Sequence, residues 1–321
     1  MKQHLHFLLR KCTPFLLALA VSQSSFGQIS LGSTIEAGVS VGPSNFLGDL
    51  GGTRGRGMTF LKDNNFPLTK LMFGAHVSTH PSPLWGIRLQ VNYGQLSGED
   101  EIIRSNGGLE EARKFRNSNF RSKLAEAYVA AEIYPTVLTE YDPTDEYKKF
   151  RPYALIGVGV FHFNPQGTDP ATGLWVNLKE LSTEGQGFAE YPNRKPYKLT
   201  QLNIPIGVGI KYFISDRTSL ALEVVHRKTF TDYIDDVSTN YIDPALFDQY
   251  FGVGTQKSAL AKRMANKSDL SGSAAGGYLP GEKRGTPSNN DGYYHIGFKI
   301  NFRIKGGDEG YKNMKCPTLR F

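Results

Sequence analysis

The chain has 321 residues, 39% of them hydrophobic, with 37 basic and 30 acidic side chains for a formal charge of +7. Lys2, Arg10 and Lys11 lie in the first 27 residues, and removing that stretch leaves 34 basic groups against 30 acidic, or +4. So small an excess argues against nucleic-acid binding, and two cysteines with no Cys/His spacing argue against a zinc site.

Residues 1–27 read as an export signal: a basic start, an apolar core from Phe15 to Val21, and the small-x-small site Ser25-Phe26-Gly27 before a mature start at Gln28. The apolar run falls short of the ~20 residues that a spanning helix needs. Cys12 precedes that core and leaves with it, so the mature chain keeps Cys316 alone and forms no internal disulfide. No later run is apolar enough for a membrane helix, so a membrane location would require a closed sheet.

Beyond the leader the chain alternates. Residues 33–42 place Ile35, Ala37, Val39 and Val41 on one face against Glu36, Gly38, Ser40 and Gly42. A Gly/Asn/Asp-rich loop comes next, including the basic run GGTRGRG at 51–57, which reads as flexible surface. Residues 70–78 and 86–94 alternate again, joined by a turn at His80-Pro81-Ser82-Pro83. After a charged loop from about Ser97 to Lys123, residues 124–134 carry Ala125, Ala127, Val129, Ala131 and Ile133 opposite Glu126, Tyr128 and Glu132. Composition alone would allow a helix there. The alternation and the terminal Tyr134-Pro135 favour a strand.

Residues 151–165 point Ala154, Ile156, Val158 and Val160 one way and Gly157 and Gly159 the other. A second long loop, 165–198, leads to a strand with Leu202, Ile204, Ile206, Val208, Ile210 and Tyr212 on its apolar face. A tight turn at Ser215-Asp216-Arg217 joins it to Leu220, Leu222 and Val224, opposed by Ala221, Glu223, Val225 and Arg227. That strand ends in an acidic rim, Asp232-Tyr233-Ile234-Asp235-Asp236. The longest loop, from Asp235 to about Gly292, is Gly/Ser/Asn/Lys-rich and reads as mobile in part. The last strand sets Tyr294, Ile296, Phe298, Ile300 and Phe302 against His295, Lys299, Asn301 and Arg303.

Eight strands joined alternately by long and short connections predict an all-β fold: an eight-stranded antiparallel up-and-down transmembrane barrel with long extracellular loops and short periplasmic turns. Aromatics near strand ends (Tyr93, Tyr134, Tyr153, Phe163, Tyr212, Phe213, Tyr293, Tyr294) suit interfacial girdles. A soluble β-sandwich also gives short alternating strands. Its hidden face would then have to hold Arg88, Glu126, Glu132, Lys211, Glu223, Arg227, Lys299 and Arg303. In a narrow barrel the same residues make an inward, structural charge network, and the Gly-Val-Gly units at 157–159 and 207–209 make room within it. A metal is not expected: Asp232, Asp235, Asp236 and Asp243 lack calcium-loop spacing. Nor is a hydrolase site, since His162, His226 and His295 have no evident Ser–acid partner. No cofactor is expected.

Several stretches together resemble one family. They are GVSVGPSNFLGDL (38–50), FRSKLAEAYVAAEIYP (120–135), RPYALIGVGVFHFNP (151–165), RKTFTDYIDDVSTNY (227–241) and a final strand followed by Lys315-Cys316-Pro317. The chain is similar in these to PorG-like outer-membrane barrels of the type IX secretion system. The loop order of such a barrel puts both termini on the periplasmic side, and the resemblance implies a non-enzymatic subunit. It implies outer-membrane lipid, a PorK-like ring lipoprotein and a PorN-like ring partner as its surroundings. The organisation expected is a leader (1–27), a barrel (28–304) and a periplasmic tail (305–321). Partner contacts would fall at Thr79–Trp85, Pro135–Phe150, Ser215–Arg217 and the tail, with Cys316 and Pro317 as candidate contacts. The alternatives from the residues alone are an OmpA-like structural barrel, a small-solute channel, or a lipid-modifying surface enzyme.

Overall fold

A computed structural model describes residues 34–50, 66–103, 110–139, 150–215, 217–268 and 277–305. The leader, the 51–57 run, Cys316 and Pro317 lie outside the described residues. Among the described residues nine strands form: β1 (Thr34–Leu47), β2 (Lys70–Ser82), β3 (Trp85–Glu99), β4 (Asn119–Ile133), β5 (Phe150–Thr168), β6 (Trp175–Asn177), β7 (Thr200–Phe213), β8 (Thr218–Thr229) and β9 (Gly292–Lys305). Eight of them pair antiparallel in chain order, β1-β2-β3-β4-β5-β7-β8-β9, and β9 pairs back onto β1 to close a barrel. The three-residue β6 only prolongs the β5 ladder at Gln166–Thr168.

Period-two alternation decides which side chains enter the lumen. Val39, Phe73, Leu89, Val129, Val158, Val208, Leu222 and Phe298 face out and are exposed, whereas Arg88, Glu126, Glu223, Arg227 and Lys299 face in and are buried. Water would penalise so wide an apolar exterior, since monomeric soluble proteins rarely expose patches beyond a few hundred Å². The pattern is that of a membrane-spanning barrel, which hydrocarbon solvates from outside. No helix among the described residues is long and apolar enough to cross a membrane. The crossing is done by strands.

The strands run further than alternation in the sequence predicts. β3 extends to Glu99 and β4 begins at Asn119, so the charged loop between them is shorter than the expected 97–123. Above the lipid level the outward face turns polar, so hydrophobic alternation stops while the backbone ladder continues. At the opposite end, β2 runs through Pro81 to Ser82, and Ser82 pairs with Trp85, which leaves a two-residue turn.

The long loops carry structure that alternation does not reach, and the aromatics depart from their expected places. The described residues of the 235–292 connection include two helices, α2 (Ala245–Phe251) and α3 (Gln256–Ala265), while α1 (Glu110–Arg116) precedes β4. Phe247, Ala261, Met264 and Ala265 pack on Leu178, Leu181, Phe188 and Ile242, so two long loops share one apolar core. The correction concerns the aromatics. Tyr93 and Tyr212 face out and are exposed, but Tyr134, Tyr153, Phe163 and Tyr293 are buried within the barrel's apolar clusters. Their parity with Gly157 or His295 puts Tyr153, Phe163 and Tyr293 on the inward face, and that outweighs their position near strand ends. Tyr294, on the outward parity, is also buried, at 1% exposure.

Candidate functional site

Two polar constellations stand inside these apolar shells: one in the lumen, one at the long-loop end. In the lumen, Glu126 on β4 receives both arms of Arg227 on β8, Nε to Oε1 at 3.1 Å and Nη2 to Oε2 at 3.0 Å. Amides of Asn92 and Asn203 donate to the same carboxylate at 2.6 Å, and the Tyr293 hydroxyl donates at 2.9 Å. Arg88 bridges Glu132 and Glu223, the latter at 2.7 Å. Tyr153 also donates to Glu223 at 2.7 Å, and Lys299 stands 3.4 Å from it. Lys211 pairs with Glu36 at 2.7 Å and donates to the Tyr134 hydroxyl, which in turn donates to Glu132. Arg303 lies half-buried near the end of β9.

Every acid here is met by a cation, and Glu126, Glu132 and Glu223 also by a neutral donor, which is how buried charge is tolerated. The structure thus joins Arg88, Glu126, Glu132, Lys211, Glu223, Arg227 and Lys299 in pairs, and adds Glu36, Asn92, Asn203, Tyr134, Tyr153 and Tyr293. Space for them comes partly from glycine. A Cβ on Gly209 would lie 2.5 Å from the Tyr153 ring, and one on Gly159 would lie 2.5 Å from the Asn203 side chain.

At the long-loop end the acidic rim is a buried hub. Asp235 and Asp236 are fully buried, Asp232 is 7% exposed, and Tyr233 stacks on Tyr197 at 4.9 Å. Asp235 accepts the backbone N–H groups of Leu50 and Val237, both at 2.9 Å. Asp236 holds a left-handed backbone (φ 66°), which Asp tolerates better than most residues. Its carboxylate accepts from Thr183 at 2.5 Å and Tyr197 at 2.8 Å.

Arg284 ties the Asp236 carbonyl (2.6 Å) to Glu184 (2.7 Å), and Glu184 also receives the N–H groups of Ser238 and Thr239. Arg116 clamps Asp100 through two bonds and reaches the carbonyls of Asp49 and Arg284. Asp291 receives Ile234 N–H at 2.8 Å. Leu50, Thr183 and Tyr197 therefore bring two other long connections directly onto 232–237, and Arg116 ties in the β3–β4 connection through Asp49 and Arg284. The run stands out in the sequence as a polar lip; its burial and its partners Glu184 and Arg284 do not, because nothing in spacing announces a contact such as Arg284–Glu184 between residues 100 apart.

Burial, with Asp49 and Glu184 adding like charge, raises the Asp232 carboxyl to about 8. Burial raises Asp236 to about 6 in spite of Arg284, Thr183 and Tyr197. Burial beside Asp49 raises Asp235, and burial beside Asp235 and Asp232 raises Asp291. Among the described residues no group of three or more His, Cys, Asp or Glu is arranged to hold a metal ion. Asp243 lies apart from the hub, exposed, and accepts Ala245 N–H at the start of α2. The histidines do not converge either: His162 faces out beside Thr200 at 3.0 Å, His226 is half-buried on β8, and His295 is in the lumen against Arg227.

No family model and no curated protein matches this chain. Among solved structures it is similar to Ail, the attachment invasion locus protein of Yersinia pestis, at 8% identity and TM-score 0.35, over 85% of this chain and 99% of that one. A major outer membrane protein of Thermus thermophilus aligns at 13% identity and TM-score 0.36, over 84% of this chain and 99% of the other. Neisserial surface protein A aligns at 7% identity and TM-score 0.33, over 85% and 97%. Likeness at this level says nothing about activity.

Proposed function

We propose that the chain is an outer-membrane barrel serving as a fixed, non-catalytic and non-conducting subunit of a protein-secretion assembly. The observation that carries this reading is the lumen itself. Glu126–Arg227, Arg88–Glu223 and Lys211–Glu36 span it between buried aromatic layers, and the long-loop end is closed by the 232–237 hub. A barrel filled in this way offers surfaces rather than a passage. The motifs at 38–50, 120–135 and 227–241 give that role an address, the type IX system, with PorK-like and PorN-like ring proteins as partners.

On this reading both termini are periplasmic, and the short-turn end is the working face. Leu138, 74% exposed on the 3-10 turn beyond β4, and Ile214, 57% exposed in the β7–β8 turn, supply apolar contacts there. The test is affinity purification of a tagged copy from its native membrane, followed by mass spectrometry. Ring lipoproteins recovered in fixed ratio, and lost with Leu138→Glu, are expected. A barrel recovered alone would sink the secretion role and leave the structural-barrel alternative. Steady single-channel conductance in planar bilayers would favour the channel.

A further inference from the structure

The outward face of β4, β5 and the approach to β7 changes character in one step. Ala127, Val160 and Leu202 form an apolar row across the three strands, with Val160 42% and Leu202 65% exposed. The next outward row is Ala125, His162 and Thr200. The row above that is Lys123 and Asn164, and the bond from Phe163 N–H to Leu199 C=O continues the ladder to place Lys198 beside Asn164. Above them stands Arg121, paired with Gln166 and lying 4.3 Å over the Trp175 ring. Lys123, Lys198 and His162 are exposed, and no acid occupies an outward position of β4, β5 or β7. Following the Lys123 row the other way, Gln95 is its partner on β3, and the register then runs to the apolar Leu71 and Pro43. The cationic patch is therefore confined to one side of the wall, at the upper edge of the lipid-facing band.

We propose that this patch binds the phosphorylated sugar headgroup of a glycolipid in the leaflet on the long-loop side; the proposal rests on the membrane reading above. Adjacent strands are spaced ~4.8 Å, so Lys123 and Lys198 stand roughly 10 Å apart across Asn164, and their side chains can converge on one phosphate. Lysine at this depth keeps its stem along the apolar wall and its ammonium among headgroups. Basic clusters at a membrane surface attract anionic lipid. Asn164 and Thr200 supply hydrogen bonds between the cations. Trp175, still 37% exposed beneath Arg121, offers an aromatic face for a sugar ring, which favours a phosphorylated saccharide over a simple phosphodiester headgroup.

The full chain, inserted into phosphatidylcholine nanodiscs doped with lipid A or with its dephosphorylated form, would be released and examined by native mass spectrometry. Retention of lipid A over the dephosphorylated lipid is expected. Lys123→Gln/Lys198→Gln should lower it about tenfold, and Lys123→Arg/Lys198→Arg should keep it. Both pairs point away from the lumen and hub, and unchanged heat-modifiable migration would verify their folding. Equal retention of the two lipids, or by the Gln pair, would overturn the proposal, as would displacement by millimolar inorganic phosphate. Failure to insert into bilayers at all would remove the membrane reading and this proposal together.

Discussion

Single side chains in the lumen carry opposite risks depending on whether they fill space or carry charge. Glu126 is the acid most heavily engaged, holding Arg227, Asn92, Asn203 and Tyr293 at once. Glu126→Leu leaves a fully buried guanidinium without its carboxylate, a loss of roughly 3–5 kcal/mol. Adding Arg227→Met should return part of it by removing the unpaired charge, while Asn92, Asn203 and Tyr293 still lack the carboxylate they donate to. Urea unfolding in vesicles, followed by tryptophan fluorescence, measures both; a double variant no more stable than the single one would contradict the pairing. Gly209 has the converse problem. A Cβ there meets the Tyr153 ring at 2.5 Å, and that ring's hydroxyl is committed to Glu223. Gly209→Val is expected to cost roughly 1–3 kcal/mol by overpacking, read in the same unfolding assay, and to cost less in a Tyr153→Ala background if the ring is the obstacle.

At the scale of elements, the helical pair α2–α3 is a separate layer seated on the 178–188 segment. Thr255 caps α3 by accepting Ser258 N–H at 3.1 Å, and Phe247 and Met264 are its buried anchors. Met264→Ala should remove about 2–5 kcal/mol from that layer and leave the barrel ladder intact. Limited proteolysis of the inserted protein should therefore quicken between residues 169 and 291 while heat-modifiable migration persists. Loss of both together would mean the layer and barrel fold as one unit.

This layer also marks where sequence reading stops. The eight barrel strands were legible because lipid outside and charge inside impose period two on every one of them. α2 and α3 were not, since Gln256–Ala265 carries only a weak apolar stripe and a Gly/Ser/Lys-rich setting hides it. The inward glutamates and arginines were legible as a set from parity alone. Which acid meets which cation was not, because pairing depends on strand tilt and stagger.

At the scale of the whole molecule the lumen and the hub meet across one apolar cluster, in which Tyr293, a donor to Glu126, packs with Ile234 and Val237. Several of the acids gathered in the hub hold protons more tightly than they would in an unfolded chain, where a carboxyl titrates near 4. Because their folded values are raised, the stabilisation is complete below about pH 4. It is lost as pH rises through about 6 for Asp236 and about 8 for Asp232. Arg284 and Arg116 face the hub and offset part of this, but Asp49, Glu184, Asp235 and Asp291 face it as well. The closed end should therefore be tighter at about pH 5 than at about pH 9. Protease cleavage within 230–291, normalised at each pH against an unfolded substrate, should rise by roughly tenfold over that range for every ~1.4 kcal/mol lost. Asp232→Asn keeps the shape without the ionisation and should flatten the upper part of the curve. A cleavage rate that is level, or fastest in acid, would mean that the arginines hold these carboxylates ionised and that the hub is an ion-pair lock rather than a protonated one.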